Sequence, residues 1–100
     1  MNIRNLTPHA VNMPNQTIPS EGSVRLSEDQ ETIGQLPDGT PLLKTSYGAG
    51  DSLPPSQEGT IFIVSRMVVD AFPERTDLFA PANVVRDEDG RITGCLALSR

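Results

Sequence analysis

The feature that most constrains this chain is an apolar stretch, residues 59–73, that changes character halfway along. Residues 60–64 are β-branched and aromatic without a polar break, which is typical of a strand that is covered on both faces. Ser65 follows at a position that suits a helix N-cap, and apolar residues then recur at helical spacing. Pro73 ends the helix, because the residue before a proline is disfavoured in the helical conformation. The stretch therefore predicts a strand at about 60–64 and a helix at about 66–72.

Two other segments have the pattern of β-hairpins. Asp38-Gly39 lies between the extended segments 32–36 and 41–47, and glycine takes the positive φ that a tight hairpin turn requires. A second acidic turn ending in glycine divides residues 84–98 in the same way. Gly94 in this last segment is expected to mark a bulge or a close approach of another part of the chain.

The remaining segments read mostly as connections. Residues 1–13 predict a short strand, a corner at Pro8 and a second extended segment, because proline bends the chain and lacks a hydrogen-bond donor. The acidic run 27–31 reads as a solvated loop, and residues 74–81 read as a surface connection with two buried anchors, Leu78 and Phe79. Residues 48–58 form the longest stretch without a periodic pattern, and in a compact domain such a loop is more often functional than idle.

Length and composition indicate one α+β domain that spans residues 1–100. Nine prolines and eight glycines argue for short elements and many turns, and against a helical bundle. We therefore expect a small, mainly antiparallel sheet of short strands and hairpins, with one short helix after the central strand. A chain of 100 residues with 36% apolar content buries only a modest core, so we also expect a homo-oligomer.

The charge balance disfavours binding to nucleic acid polymers. The formal net charge is −5, and a protein that binds nucleic acid polymers needs a basic face.

The single cysteine, Cys95, forms no internal disulfide and is expected to be a small core residue. No signal-peptide pattern and no apolar run of membrane-spanning length is present, so we expect a cytoplasmic protein without membrane contact.

Few residues have a pattern that indicates chemistry. The start of the predicted helix is the best anion site, because the free backbone N–H groups there lie beside the Ser65 hydroxyl and Arg66. His9 is the only histidine, and no second ligand or nucleophile stands at a spacing that would make it catalytic or metal-binding. We predict no catalytic residues, no metal and no cofactor.

Four stretches, in a fixed order, are similar to a known group of sequences. They are Asn5-Leu-Thr-Pro-His-Ala-Val-Asn12, residues 59–65, residues 75–78, and Val85-Arg-Asp-Glu-Asp-Gly-Arg-Ile-Thr-Gly-Cys95. Together they touch most of the chain, which resembles a family of small phage and prophage proteins. Small acidic phage proteins of this size include anti-defence sponges, which are oligomers that sequester nucleotide immune signals of the host. By this analogy the chain would be a non-enzymatic sponge for a cyclic oligonucleotide or a cyclic ADP-ribose type of signal, in the host bacterial cytoplasm.

The analogy implies a pocket of polar residues near strand ends. Arginines would hold phosphates, and His9 or Tyr47 would contact a base. Replacing Arg66 or Arg75 with alanine would then abolish binding with little change in melting temperature. The implied ligand-binding residues are Asn5, Thr7, His9, Tyr47, Ser65, Arg66, Arg75 and Arg86.

Two other functions stay open from the sequence. One is a protein–protein interaction module that inhibits or recruits a host or phage protein through sheet edges or the 48–58 loop. The other is a small enzyme that cleaves a nucleotide signal, with His9 as acid or base. A sponge returns its ligand intact after denaturation, an enzyme returns products, and an interaction module ignores nucleotides.

Overall fold

The computed structural model describes all 100 residues as eight strands and one short helix. A single 3₁₀ turn, Gly50–Ser52, interrupts the long loop. The strands are β1 (Asn2–Asn5), β2 (Val11–Met13), β3 (Gln16–Ile18), β4 (Ser27–Gln35), β5 (Pro41–Gly48), β6 (Thr60–Ile63), β7 (Leu78–Arg86) and β8 (Ile92–Ser99), and the helix is α1 (Arg66–Ala71).

The central sheet has four strands in the order β1-β6-β7-β8. Both β1 and β7 run parallel to β6, and only β7 and β8 are antiparallel. The α+β prediction with one helix after the central strand is therefore confirmed, but the prediction of a mainly antiparallel sheet is wrong for the centre of this sheet. The physical reason is that α1 carries the chain back across the sheet, so β7 begins again at the same end as β6.

The central strand and the helix that follows it form as the local sequence predicts. Ser65 has the extended backbone of an N-cap (φ −69°, ψ 158°), and its hydroxyl oxygen accepts a 3.4 Å hydrogen bond from the Val68 N–H. The helix ends at Ala71, one residue earlier than predicted, and Phe72 before Pro73 has left the helical region (φ −127°, ψ 65°).

Both faces of β6 are covered, which explains its continuous apolar sequence. Phe62 and Val64 are fully buried in the larger core, against Val68 of α1 and Leu78 of β7. Ile63 points to the opposite face, where it packs in a smaller core with Val11 and Cys95. The prediction that Cys95 is a small core residue is confirmed.

The β2–β3 hairpin forms a layer of its own over β8. A Cβ atom on Gly94 would lie 2.6 Å from the backbone oxygen of Asn12, so only glycine fits there. The Asn12 Nδ2 group donates a 2.9 Å hydrogen bond to the Thr93 carbonyl, which holds the two layers together. The expected close approach at Gly94 is thus confirmed.

The β4–β5 hairpin, residues 27–48, projects from the rest of the molecule; we call this hairpin the arm and the rest of the molecule the body. Its strands pair only with each other, and every residue of 27–47 is exposed. The prediction of a loop at 27–31 is wrong, because these residues pair with 44–48 of β5 and extend the hairpin by five residues. The radius of gyration is 17.0 Å, well above the roughly 13 Å of a compact 100-residue domain.

Residues 74–81 differ from the prediction as well, since β7 already begins at Leu78. Leu78 is fully buried as expected of an anchor, and Phe79 is half-buried. The only helix of regular α type has six residues, and no helix has the length and apolar character to cross a membrane.

Candidate functional site

The parallel pairing of β1 and β6 determines where the site lies. The two strands are in register from Asn2↔Thr60 to Asn5↔Ile63, so their carboxyl ends meet at the same edge of the sheet. The Leu6 N–H extends this pairing by donating to the Ile63 carbonyl at 2.8 Å. The corner that follows β1 therefore lies beside the start of α1. In sheets with parallel strands, ligands bind outside the carboxyl ends.

Asn5 builds the corner from inside. Its side chain is fully buried, and Nδ2 donates to the carbonyls of His9 (2.9 Å) and Ile18 (3.0 Å). Its Oδ1 accepts from the Thr7 N–H (3.0 Å) and the Thr7 hydroxyl (2.6 Å). Because all these bonds are made within the chain, Asn5 positions the corner and offers nothing to a ligand.

A cavity of about 400 Å³ opens where the corner meets the helix start. The residues that follow β1 and β6 line one part of it, and residues of β7 and β8 that extend past β6 line another. We call it the edge cavity; it is lined by Thr7, His9, Ala10, Val11, Asn12, Val64, Ser65, Pro81, Ile92, Thr93, Gly94 and Cys95.

The lining of the edge cavity has polar groups but no arginine, lysine, aspartate or glutamate. The Asn12 amide is held by the Thr93 carbonyl and, at its oxygen, by the Thr17 hydroxyl at 3.0 Å. The Ser65 hydroxyl caps the helix as an acceptor, which leaves its hydrogen free to donate. The imidazole of His9 makes no hydrogen bond within the chain and is exposed at the cavity. Such a lining, apolar with a few fixed polar groups, is typical of small-molecule sites.

Arg75, one of the implied ligand-binding residues, is instead part of the body. Its Nε and a terminal nitrogen donate to both carboxylate oxygens of buried Asp77, at 2.8 and 2.9 Å, and the same terminal nitrogen donates to the Pro54 carbonyl at 3.0 Å. The hydrogen bond from Arg75 lowers the pKa of Asp77, and the same bond raises the pKa of Arg75. Its guanidinium carbon also lies 6.0 Å from the ring centre of Phe62.

Arg86 lies at the turn of the last hairpin, where it donates to the Gly90 carbonyl at 2.9 Å. It does not line the edge cavity. Thr7, His9 and Ser65 are thus brought together as implied, whereas Arg75 and Arg86 are not.

Tyr47 and Arg66 line a second cavity, separate from the edge cavity. They line an open groove of about 710 Å³ between β5 and α1, which we call the helix groove; its other lining residues are Thr45, Ser46, Met67, Asp70, Ala71 and Pro73. Arg66 donates to the Ser99 carbonyl at 3.1 Å and lies 3.7 Å from the Asp70 carboxylate, so its guanidinium faces away from the edge cavity lining.

Sequence reasoning did not identify the far wall of the edge cavity. Pro81 and the run from Ile92 to Cys95 come from the β7–β8 pair, and their place follows from long-range pairing that leaves no local signal. Asn12 could have been identified as a cavity residue, because it lies inside the stretch Asn5–Asn12 on which the family resemblance rests.

No three His, Cys, Asp or Glu side chains come together as possible metal ligands. Comparison with known proteins gave no match among family models, curated proteins or solved structures.

Proposed function

We propose that this chain is a phage-encoded anti-defence protein that binds a nucleotide immune signal of its host and holds it without cleaving it. The signal would be of the cyclic oligonucleotide or cyclic ADP-ribose type. One observation carries the proposal: Thr7, His9 and Ser65 line a single cavity at the carboxyl edge of the parallel strands β1 and β6.

The size and lining of the edge cavity suit one nucleoside unit. About 400 Å³ is in the lower part of the range of about 300–1,000 Å³ that small-molecule sites occupy. A partly apolar lining without arginine or lysine favours a base and a ribose over a phosphate, because burying a phosphate away from cationic side chains is costly. His9 would stack on or hydrogen-bond to the base, and the free Ser65 hydrogen would bond to the ribose or a phosphate oxygen.

The phosphates would lie at the rim and not inside. Arg66 directly follows Ser65, its side chain is 47% exposed, and its 3.7 Å contact with Asp70 is too long and too exposed to be strong. To bind such a phosphate, the Arg66 guanidinium would leave Ser99 and Asp70 and turn from the helix groove to the helix start, where it would donate two parallel hydrogen bonds.

The test is a thermal-shift screen of the purified chain against cyclic dinucleotides, cyclic trinucleotides and cyclic ADP-ribose isomers. A ligand that binds only the folded state raises the melting temperature by mass action. We expect a rise with one class, and intact ligand in the supernatant after heating. Cleaved ligand would establish the enzyme alternative, and the absence of any shift would overturn nucleotide binding.

Two variants test whether the ligand binds in the edge cavity. His9→Ala removes an exposed side chain without a hydrogen bond in the chain, so the free protein should melt as before while affinity falls roughly tenfold or more, which corresponds to about 1.4 kcal/mol. Arg86→Ala is the control, because Arg86 is an implied site residue outside the edge cavity. Equal affinity in both variants would place the ligand elsewhere.

A further inference from the structure

Asn12 is the one polar side chain in the lining of the edge cavity that both donates and accepts a hydrogen bond within the chain. Its Nδ2 group donates to the Thr93 carbonyl at 2.9 Å, and its Oδ1 atom accepts from the Thr17 hydroxyl at 3.0 Å. A flipped amide would turn Oδ1 towards the Thr93 carbonyl, and two acceptors cannot bond to each other. The two partners therefore fix the orientation of the Asn12 amide.

The backbone around Asn12 holds this side chain in place from two sides. Asn12 and Thr17 are directly opposite each other in the pairing of β2 with β3. On the side of β8, a Cβ atom on Gly94 would lie 2.6 Å from the Asn12 backbone oxygen and 3.2 Å from the Asn12 Cβ atom. Asn12 is thus enclosed between its own hairpin and the glycine of β8.

The fixed amide leaves one donor and one acceptor for a ligand. An asparagine amide has two N–H hydrogens on Nδ2 and two lone pairs on Oδ1. Thr93 uses one of the hydrogens and Thr17 uses one of the lone pairs. The Asn12 side chain is exposed and lines the edge cavity, so the remaining hydrogen and lone pair are accessible there in a fixed order.

The other polar side chains of the lining do not have a fixed donor beside a fixed acceptor. The Ser65 hydroxyl hydrogen rotates, and the His9 ring, which has no partner in the chain, can donate or accept. The hydroxyls of Thr7 and Thr93 donate within the chain, and their lone pairs lie in different parts of the cavity. A choice between bases therefore depends on Asn12.

Adenine and guanine differ in the groups that they present to such a lining. Adenine has a donor, the N6 amino group, beside the acceptor N7, and asparagine is a side chain that bonds to both. Guanine has two acceptors, O6 and N7, which arginine or lysine binds, and its N1–H and N2 donors suit a carboxylate. The lining has no arginine, lysine, aspartate or glutamate. Its chemistry is thus complementary to adenine.

We propose that the edge cavity selects adenine over guanine through Asn12, with Thr17 as the positioning residue that fixes the Asn12 amide. This inference rests on the proposed function, because it takes the edge cavity as the site of one nucleoside unit. Thr17 does not line the cavity, so it acts through Asn12 and not on the ligand. Cyclic ADP-ribose and adenine-containing cyclic oligonucleotides both contain the selected base.

The test uses adenosine 5′-monophosphate and guanosine 5′-monophosphate, which differ only in the base. Each is titrated into the wild type, and binding is followed in the ¹⁵N–¹H nuclear magnetic resonance signals of Thr7, His9 and Gly94. The adenine nucleotide should bind roughly tenfold or more tightly than the guanine nucleotide, which corresponds to about 1.4 kcal/mol. Equal dissociation constants, or no binding of either nucleotide at millimolar concentration, would overturn the selection of adenine.

Thr17→Val tests the positioning role, because valine keeps the shape of threonine and removes the hydroxyl. Thr17 is exposed, so the melting temperature should stay close to that of the wild type, while the preference for adenine falls to about threefold or less. Thr17→Ser keeps a hydroxyl and should keep the preference. A residue with only a structural role would change the melting temperature and not the ratio of the two affinities. An unchanged ratio in Thr17→Val would overturn the role of Thr17.

Asn12→Ala removes both reading groups, so the two mononucleotides should bind with equal affinity. A preference for adenine that persists in folded Asn12→Ala protein would overturn the assignment to Asn12.

Selection of adenine and sequestration of a cyclic signal are distinguishable in these measurements. A preference for the adenine mononucleotide without a thermal shift by any cyclic nucleotide would support the selection and overturn the sequestration. A thermal shift by a cyclic nucleotide with equal binding of the two mononucleotides would support the sequestration and overturn the selection.

Discussion

At the scale of single residues, Asn5 is the side chain on which the site geometry most depends. Its amide hydrogens bond to two carbonyls, and its oxygen receives two donors from Thr7, all in a fully buried position. Asn5→Asp keeps the shape but replaces two donors with an acceptor that faces the carbonyls of His9 and Ile18. We expect a loss of about 2–4 kcal/mol in the free energy of unfolding, measured by urea denaturation.

The control for this change is Asn15→Asp, the same substitution at an exposed position in the turn between β2 and β3. It should change the free energy of unfolding by less than about 0.5 kcal/mol. Equal effects at both positions would mean that the hydrogen bonds of Asn5 do not hold the corner.

The ion pair between Arg75 and Asp77 makes the stability depend on pH. The hydrogen bond from Arg75 lowers the folded-state pKa of Asp77 below its unfolded value of about 3.9. The stabilisation from the pair is therefore fully present above about pH 4 and is lost as the pH falls through the folded-state pKa. Asp77→Asn should reduce this loss, as seen in melting temperatures between neutral and acidic pH. A pH profile identical to that of the wild type would contradict the role of the pair.

Arg75→Ala should destabilise the fold by about 2–3 kcal/mol, because it leaves a buried carboxylate without its partner. This corrects the expectation from sequence that the variant melts normally and only loses ligand. The segment Arg75-Thr-Asp77 gave no indication of burial, and an arginine near a strand end has the same appearance whether it binds phosphate or a neighbouring aspartate.

At the scale of elements, the contact of β8 with the β2–β3 hairpin is the tightest in the body. Gly94→Ala places a Cβ atom 2.6 Å from the Asn12 oxygen, so the hairpin must shift. We expect a loss of about 1–3 kcal/mol in the free energy of unfolding and weaker ligand binding, since Val11 and Asn12 line the edge cavity.

Gly34→Ala on the arm is the matched control for Gly94→Ala. Its Cβ would meet only the Leu42 Cδ1 atom, at 4.0 Å, an ordinary contact. The free energy of unfolding of the body should stay within about 0.5 kcal/mol of the wild type. A neutral Gly94→Ala variant would show that the two layers can separate without cost.

Elements set by local signals could be predicted, and those set by distant pairing could not. The apolar run, the Ser65 cap and Pro73 sufficed for β6 and α1, and Asp38-Gly39 sufficed for a hairpin. One of the two parallel partners of β6 is β1, which lies more than fifty positions away and has no residue that indicates this choice. The acidic start of β4 is a strand because β5 pairs with it, against its low intrinsic propensity.

The candidate site shows the same division. Thr7, His9 and Ser65 could be selected as polar residues at strand ends, and parallel pairing brings them to one edge. The sequence could not show which arginines are free to bind a ligand, because this depends on their partners in the fold. Arg75 binds Asp77, and Arg86 binds the Gly90 carbonyl.

At the scale of the whole molecule, the body contains the edge cavity and the arm lies apart from it. The molecule measures 56 × 38 × 19 Å. It is more extended than a compact domain with the same number of residues, because the arm projects from the body. The edge cavity shares no lining residue with the helix groove or the arm. A Leu43→Asp variant should therefore bind ligand with wild-type affinity, as measured by titration calorimetry, whereas Gly94→Ala should weaken binding.

The most direct test of the central claim is a titration followed by ¹⁵N–¹H nuclear magnetic resonance, with cyclic ADP-ribose and a cyclic di-adenylate as separate probes. We expect one probe to shift the amide signals of Thr7, His9 and Gly94 and to leave those of Asp38 and Gly39 at the arm turn unchanged. Shifts confined to Tyr47 and Met67 in the helix groove, or no shifts with either probe, would contradict ligand binding in the edge cavity.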